Sequence, residues 1–143
     1  SRPSISASTL QGLLRELSRP YSPADERRIN IAGDDVPVDD RGATPIALAF
    51  HELATNASKY GALSTATGGV DLRISRVGPS VKIVWIESGG PPLAGPPERS
   101  GFGSRLTEMS IAQQLGGTFT RQWKPDGLKV EIEILAERLS RSS

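Results

Sequence analysis

Residues 51–64 read HELATNASKYGALS, and the periodicity of this stretch decides the fold. Side chains at i, i+4 and i+7 stack on one face of an α-helix. Glu52, Asn56 and Lys59 have that spacing, while Ile46, Phe50, Leu53 and Ala57 form an apolar stripe on the opposite side. Such a stripe belongs against a core. The helix is expected from about Ala43 to Tyr60, capped by Asp39 or Asp40. A carboxylate, an amide oxygen and a cation in line suit Mg²⁺ and phosphate, because Mg²⁺ takes hard oxygen donors and phosphate attracts a compact positive charge. A solvated helix face can carry the same residues, so the flanking sequence has to discriminate.

On the N-terminal side, Thr9 to Leu17 has the leucine spacing of a short helix ended by Pro20, and Arg28 to Ala32 alternates as a strand does. On the C-terminal side, Gly61 to Gly69 reads as a loop of small residues. Val70 to Ile74 and Val81 to Ile86 read as strands paired through Val77-Gly78-Pro79. Ser88 to Gly103 holds four prolines and five glycines, which rules out regular structure there. A helix with Leu106, Met109, Ile111, Ala112 and Leu115 as apolar positions follows, stopped by Gly116-Gly117. Thr118 to Trp123 and Leu128 to Leu135 form a final hairpin, and the charged tail after Glu137 is expected to fray. The expected fold is α+β: a two-layer α/β sandwich whose mixed, mostly antiparallel sheet packs against about three helices.

The 143 residues suit a single domain, 1–143, with its core over about 9–136. The absence of cysteine excludes disulfides, thiolate metal sites and a Cys nucleophile, and one histidine excludes a multi-His metal cluster. A net charge of +1 gives no electrostatic reason to expect nucleic acid. No apolar run approaches the roughly 20 residues that span a bilayer, and the start lacks the form of a secretory signal. A cytoplasmic chain without membrane contact is expected.

Two further motifs accompany the helix. In VKIVWIESGGPP the strand ends at Glu87, before Ser88-Gly89-Gly90, and a carboxylate there can accept a hydrogen bond from an exocyclic amine while glycines let a flat ring approach. In RSGFGSRL, from Arg99 to Leu106, Gly101 and Gly103 stand directly before a helix whose free amides and dipole attract phosphate, with Arg99 and Arg105 beside them. The chain has no GxxxxGK[ST] loop and no strand–GxGxxG–helix unit.

Singly these motifs are weak; their order and spacing are specific. Together they resemble the ATP-binding catalytic domain of sensor histidine kinases of the GHKL (Bergerat-fold) superfamily. The resemblance is closest to the HWE subfamily, named for a His in the N box and a Trp-x-Glu in the first G box. His51, Trp85 and Glu87 stand at those positions; GFGSRL matches the second G box, and the resemblance covers about residues 9–136.

The resemblance implies that Asn56 ligates Mg²⁺ bridging the ATP phosphates. Glu52 would hold a metal-bound water or polarise the reacting centre, and Lys59 and Tyr60 would touch phosphate or ribose. Glu87, in place of the usual aspartate, would accept the adenine amino proton, with Gly89 packing close to the ring. The segment Gly101, Phe102 and Gly103 would bind the phosphates beside Arg99. His51 lies within the nucleotide-site helix and is not the phosphoacceptor. The segment between Gly90 and Gly101 is short for an ATP lid.

In a parent kinase the γ-phosphoryl would pass to a histidine on a dimerisation hairpin and then to a response regulator. No such hairpin precedes residue 1, so this chain is expected to be monomeric and to bind ATP without autophosphorylating. The alternatives are a GHKL serine/threonine kinase of the anti-sigma type, an ATPase, or a non-catalytic nucleotide-binding docking module.

Overall fold

The computed structural model describes residues 8–22, 28–92 and 102–141, without the side chains of 102–104. Helix α1 (Leu10–Ser18) is capped by the Thr9 hydroxyl, which accepts from the Gly12 amide. A short 3₁₀ turn (Arg19–Tyr21) follows at Pro20. Strand β1 (Ile29–Gly33) leads to α2 (Asp40–Tyr60), capped by Asp39, whose carboxylate accepts from the Arg41 amide. The helix thus starts three residues before Ala43. It tolerates Pro45, which is buried and forfeits one helical hydrogen bond.

A second 3₁₀ turn (Ala62–Ser64) precedes β2 (Gly69–Val77) and β3 (Ser80–Ser88). Helix α3 (Phe102–Leu115), β4 (Thr118–Lys124), β5 (Gly127–Leu135) and α4 (Ala136–Leu139) are the remaining elements among the described residues. The five strands form one sheet in the order β1-β2-β3-β5-β4, with β1 parallel to β2 and the other pairs antiparallel. This is the expected mixed sheet, and the helical layer contains a fourth, short helix.

Alternation puts one strand face into the core. Val81, Ile83 and Trp85 of β3 are buried beside Leu72 and Ile74 of β2 and Val130, Ile132 and Ile134 of β5. Against them α2 lays Ile46, Phe50, Leu53 and Ala57, all four buried as the periodicity of 51–64 requires. Phe50 meets Trp85 edge-to-face at 5.7 Å and Tyr21 at 6.1 Å, so an aromatic row runs from the first 3₁₀ turn to the central strand. An apolar void of about 20 Å³ lies between α1, α2 and the sheet, too small for any ligand beyond a water. The opposite sheet face carries polar pairs such as Lys82 and Glu131, 3.3 Å apart.

Three local expectations are corrected. In α3 Leu106 and Met109 are half-exposed and Ala112 is exposed, while Ile111 and Leu115 are buried together with Thr107. The narrow contact face admits one threonine methyl and leaves the rest of the apolar set outside. Gly103 does not precede α3 but lies in its first turn. The tail does not fray at Glu137: Leu139 is fully buried, its carbonyl accepts from the Asp39 amide at 2.9 Å, and the Arg141 amide donates to Asp39 Oδ2 at 3.1 Å. Two apolar residues, Ala136 and Leu139, packed at i and i+3, outweigh the charged character of that segment.

Candidate functional site

The site is built where the C-terminal end of α2 meets the end of β3. On α2, Glu52 and Asn56 are half-buried on the face away from the core stripe, and Lys59 and Tyr60 are exposed one turn further on. Asn56 Nδ2 donates to Glu52 Oε2 at 3.0 Å. That bond fixes the amide orientation and leaves Asn56 Oδ1 as an acceptor available to a hard cation. Among the described residues no cluster of three or more His, Cys, Asp or Glu could hold a metal. An amide oxygen and a carboxylate one turn apart are the hard oxygen donors that Mg²⁺ takes together with phosphate oxygens. His51 is exposed on the same helix and takes no part in the core.

Glu87 behaves differently. Core-facing positions of β3 alternate Val81, Ile83, Trp85, Glu87, so the same geometry that buries the tryptophan carries a carboxylate inward at the strand end. Glu87 is only 6% exposed. Its Oε1 accepts from the Ala62 amide at 3.1 Å and its Oε2 from Trp85 Nε1 at 2.9 Å. Burial pushes its pKa above the ordinary 4.5, opposed by the indole and amide donors, which favour the charged form. Each oxygen retains a second lone pair, so the carboxylate can still accept from a ligand.

Glycines close the space around it. A Cβ on Gly61 would collide with Glu87 Oε1, so only glycine ends α2 here without displacing the acid. Gly89 has φ +79°, and a Cβ there would lie 2.8 Å from Gly68 Cα. The need for glycine at this position is thus met within the chain, by packing of β3's exit against the loop before β2.

Sequence reasoning missed what holds that loop. Arg28 Nε donates to the Gly68 carbonyl at 3.0 Å, and its Nη2 donates to the carbonyls of Thr65 at 2.6 Å and Ala62 at 3.4 Å. Thr65 Oγ1 donates to the Gly89 carbonyl at 2.8 Å and accepts from the Gly68 amide at 3.0 Å. Arg28 is 34 to 40 residues from its acceptors, and no local pattern announces such a contact. The Trp85–Glu87 bond was missed as well, although alternation places residues i and i+2 on one face and so offered a signal for it.

Arg99 and Gly101 lie outside the described residues, as does the side chain of Phe102. The backbones of Phe102 and Gly103 open α3, where the first amides have no intrahelical partner and the helix dipole favours an anion. Among the described residues no helix is long and apolar enough to cross a membrane.

No family model matches the chain. It is similar to blue-light-activated histidine kinase 1 of Erythrobacter litoralis, 35% identical over 136 residues, which is 92% of this chain and 37% of that protein. It is also similar to a blue-light-activated histidine kinase of Brucella ovis, 32% identical over 128 residues, or 87% of this chain and 26% of that protein. The chain thus spans between about a quarter and two fifths of the length of the curated relatives it matches. In three dimensions it resembles the histidine kinase domain of E. litoralis EL346, with TM-score 0.69 and 25% identity over 94% of this chain and 67% of the other. The catalytic domain of histidine kinase ThkA has the same fold, with TM-score 0.63 and 19% identity over 90% of this chain and 94% of that one. ThkA has also been solved in complex with the response regulator TrrA, with TM-score 0.65 and 20% identity, covering 90% of this chain and 41% of that one.

Proposed function

This chain is a homologue of the histidine kinases and has the fold of their catalytic domains, and from that premise we propose that it is the ATP-binding catalytic domain of an HWE-type sensor kinase. One observation carries the reading. The buried Glu87 carboxylate accepts from the turn that directly follows the helix aligning Glu52, Asn56 and Lys59. A base-reading acid and a cation-and-phosphate face therefore belong to one helix end. Their chemistry is that of a magnesium nucleotide with an exocyclic amine on its base.

In this reading the ionised Glu87 accepts from the adenine amino group. Asn56 Oδ1 and Glu52 would hold Mg²⁺, which would supply neutralisation of phosphate charge. Lys59 and Tyr60 reach phosphate or ribose. The first amides of α3 would meet the phosphates; for Arg99 and Gly101 the same role is only what the resemblance implies. Phosphoryl transfer of this kind depends on positioning and charge neutralisation, which is what these residues supply. The acceptor is a histidine on the parent kinase's hairpin, and a response regulator takes the phosphoryl group next, in the cytoplasm.

The test is to mix the chain with γ-labelled ATP, Mg²⁺ and the separately expressed hairpin of the parent kinase. Acid-labile label on the hairpin histidine is the expected result. Tight ATP binding with no label transferred would contradict the kinase reading and favour a docking module.

A further inference from the structure

We propose that Trp85 is a positioning residue for base recognition: its indole N–H fixes the Glu87 carboxylate in the orientation that reads an exocyclic amine. The inference rests on the reading of Glu87 as the adenine acceptor and adds a determinant which that reading does not contain.

Glu87 has one more rotatable bond than an aspartate, and a carboxylate free to turn about it would present no defined acceptor. The structure removes that freedom at both oxygens. Ala62 N–H holds Oε1 and Trp85 Nε1–H holds Oε2, so the plane of the carboxylate is set by two donors fixed on different elements. The Ala62 donor sits on a turn tied down by Arg28, and Gly61 leaves room for Oε1. The tryptophan donor is itself immobile: the side chain is 2% exposed and its ring packs edge-to-face on Phe50. An indole held on one side by a helix aromatic and hydrogen-bonded on the other to an acid two residues along the strand fills a specific role. A phenylalanine would fill most of the same core volume but would leave Oε2 with no N–H donor. Burial and these two donors are the influences on Glu87 protonation, and no charged side chain among the described residues figures in them.

Trp85→Phe separates positioning from packing. Inosine triphosphate carries a carbonyl where ATP carries the amine, and N1–H where ATP has an acceptor, so the ratio of ATP to inosine triphosphate affinity reads recognition of the base edge that Glu87 would contact. A packing defect weakens both nucleotides together. A positioning defect weakens ATP and spares the other. The folded W85F chain is expected to lose about tenfold in that ratio, the usual worth of a hydrogen bond to a charged group. Its ATP affinity should also fall off at higher pH than in the wild type, because one donor to the charged form is gone. An unchanged ratio and pH profile in folded W85F would overturn the proposal.

Should W85F not fold, the Trp85 indole N–H resonance of the wild type, assigned with Trp123→Phe, decides the matter. It is expected to shift on ATP addition and in Glu87→Gln, and to respond much less to inosine triphosphate. Indifference to all three would overturn the inference. A wild type that binds both nucleotides equally would instead remove the reading of Glu87 as the amine acceptor, and the inference with it.

Discussion

Glu87 and Glu52 are both carboxylates of one proposed site, and their surroundings differ at every level. Glu87 comes from a strand, is almost wholly buried, and has both oxygens engaged by fixed donors on β3 and the turn after α2. Glu52 comes from a helix surface, is half-buried, and meets Asn56 through a bond internal to the same helix. The proposed base-reading end is assembled from distant elements and held by the core. The proposed phosphate end is presented on one helix face together with exposed Lys59 and would be completed by the cation and phosphates. Rigidity where an uncharged ring must be told from its analogues, and openness where charges attract each other at range, is a division of labour that physics favours.

Breaking the phosphate end should have the largest effect. Asn56→Ala is expected to abolish the Mg²⁺-dependent part of ATP binding in a folded chain, measured by titration with and without the metal; retained Mg²⁺ dependence would remove Asn56 from the site. At the base end, Glu87→Gln should cost about tenfold or more in ATP affinity and abolish discrimination against inosine triphosphate. The same variant sharpens the comparison through stability. The raised Glu87 pKa means that the folded chain binds more protons than the unfolded one, so this group's contribution falls as pH rises past 4.5. Thermal unfolding of Glu87→Gln as a function of pH should lack that decline, and an identical pH profile would contradict the burial assigned to the acid.

The contrast between the two ends also explains what was legible in the sequence. Spacing alone identified the α2 face and its apolar stripe, because both are properties of one helix with period 3.6. The strands of the sheet were legible for the same reason at period 2. What escaped is tertiary. Thr107 took a buried place while Leu106 and Met109 stayed outside, and Leu139 docked under Asp39 from a segment that reads as charged and frayed. The Arg28 clamp joins residues too far apart for any window to connect. The role given to Tyr60 came only from resemblance to a family, because its exposed position on α2 carries no pattern of its own.

Arg28→Ala tests whether the base end depends on its distant anchor. Loss of three hydrogen bonds at about 1 kcal/mol each should destabilise the chain by roughly 3 kcal/mol. Amide exchange over residues 62–69 should quicken first, and unchanged protection there would show that the loop stands without the clamp. The smallest effect is expected at the far end of α2. Asp39→Ala should cost about 1 kcal/mol as a lost cap. The Arg141 amide, followed by those of Arg41 and Gly42, holds the Asp39 pKa below 3.8, so its stabilisation is complete above that value and is lost as pH falls through the lowered one. The acid limb of the unfolding profile should accordingly flatten in the variant, while ATP affinity stays unchanged.

Calorimetric titration of ATP into the wild-type chain, with and without Mg²⁺, tests the central claim most directly. Saturable binding that Mg²⁺ strengthens is the predicted result. No heat of binding at millimolar ATP under either condition would contradict it.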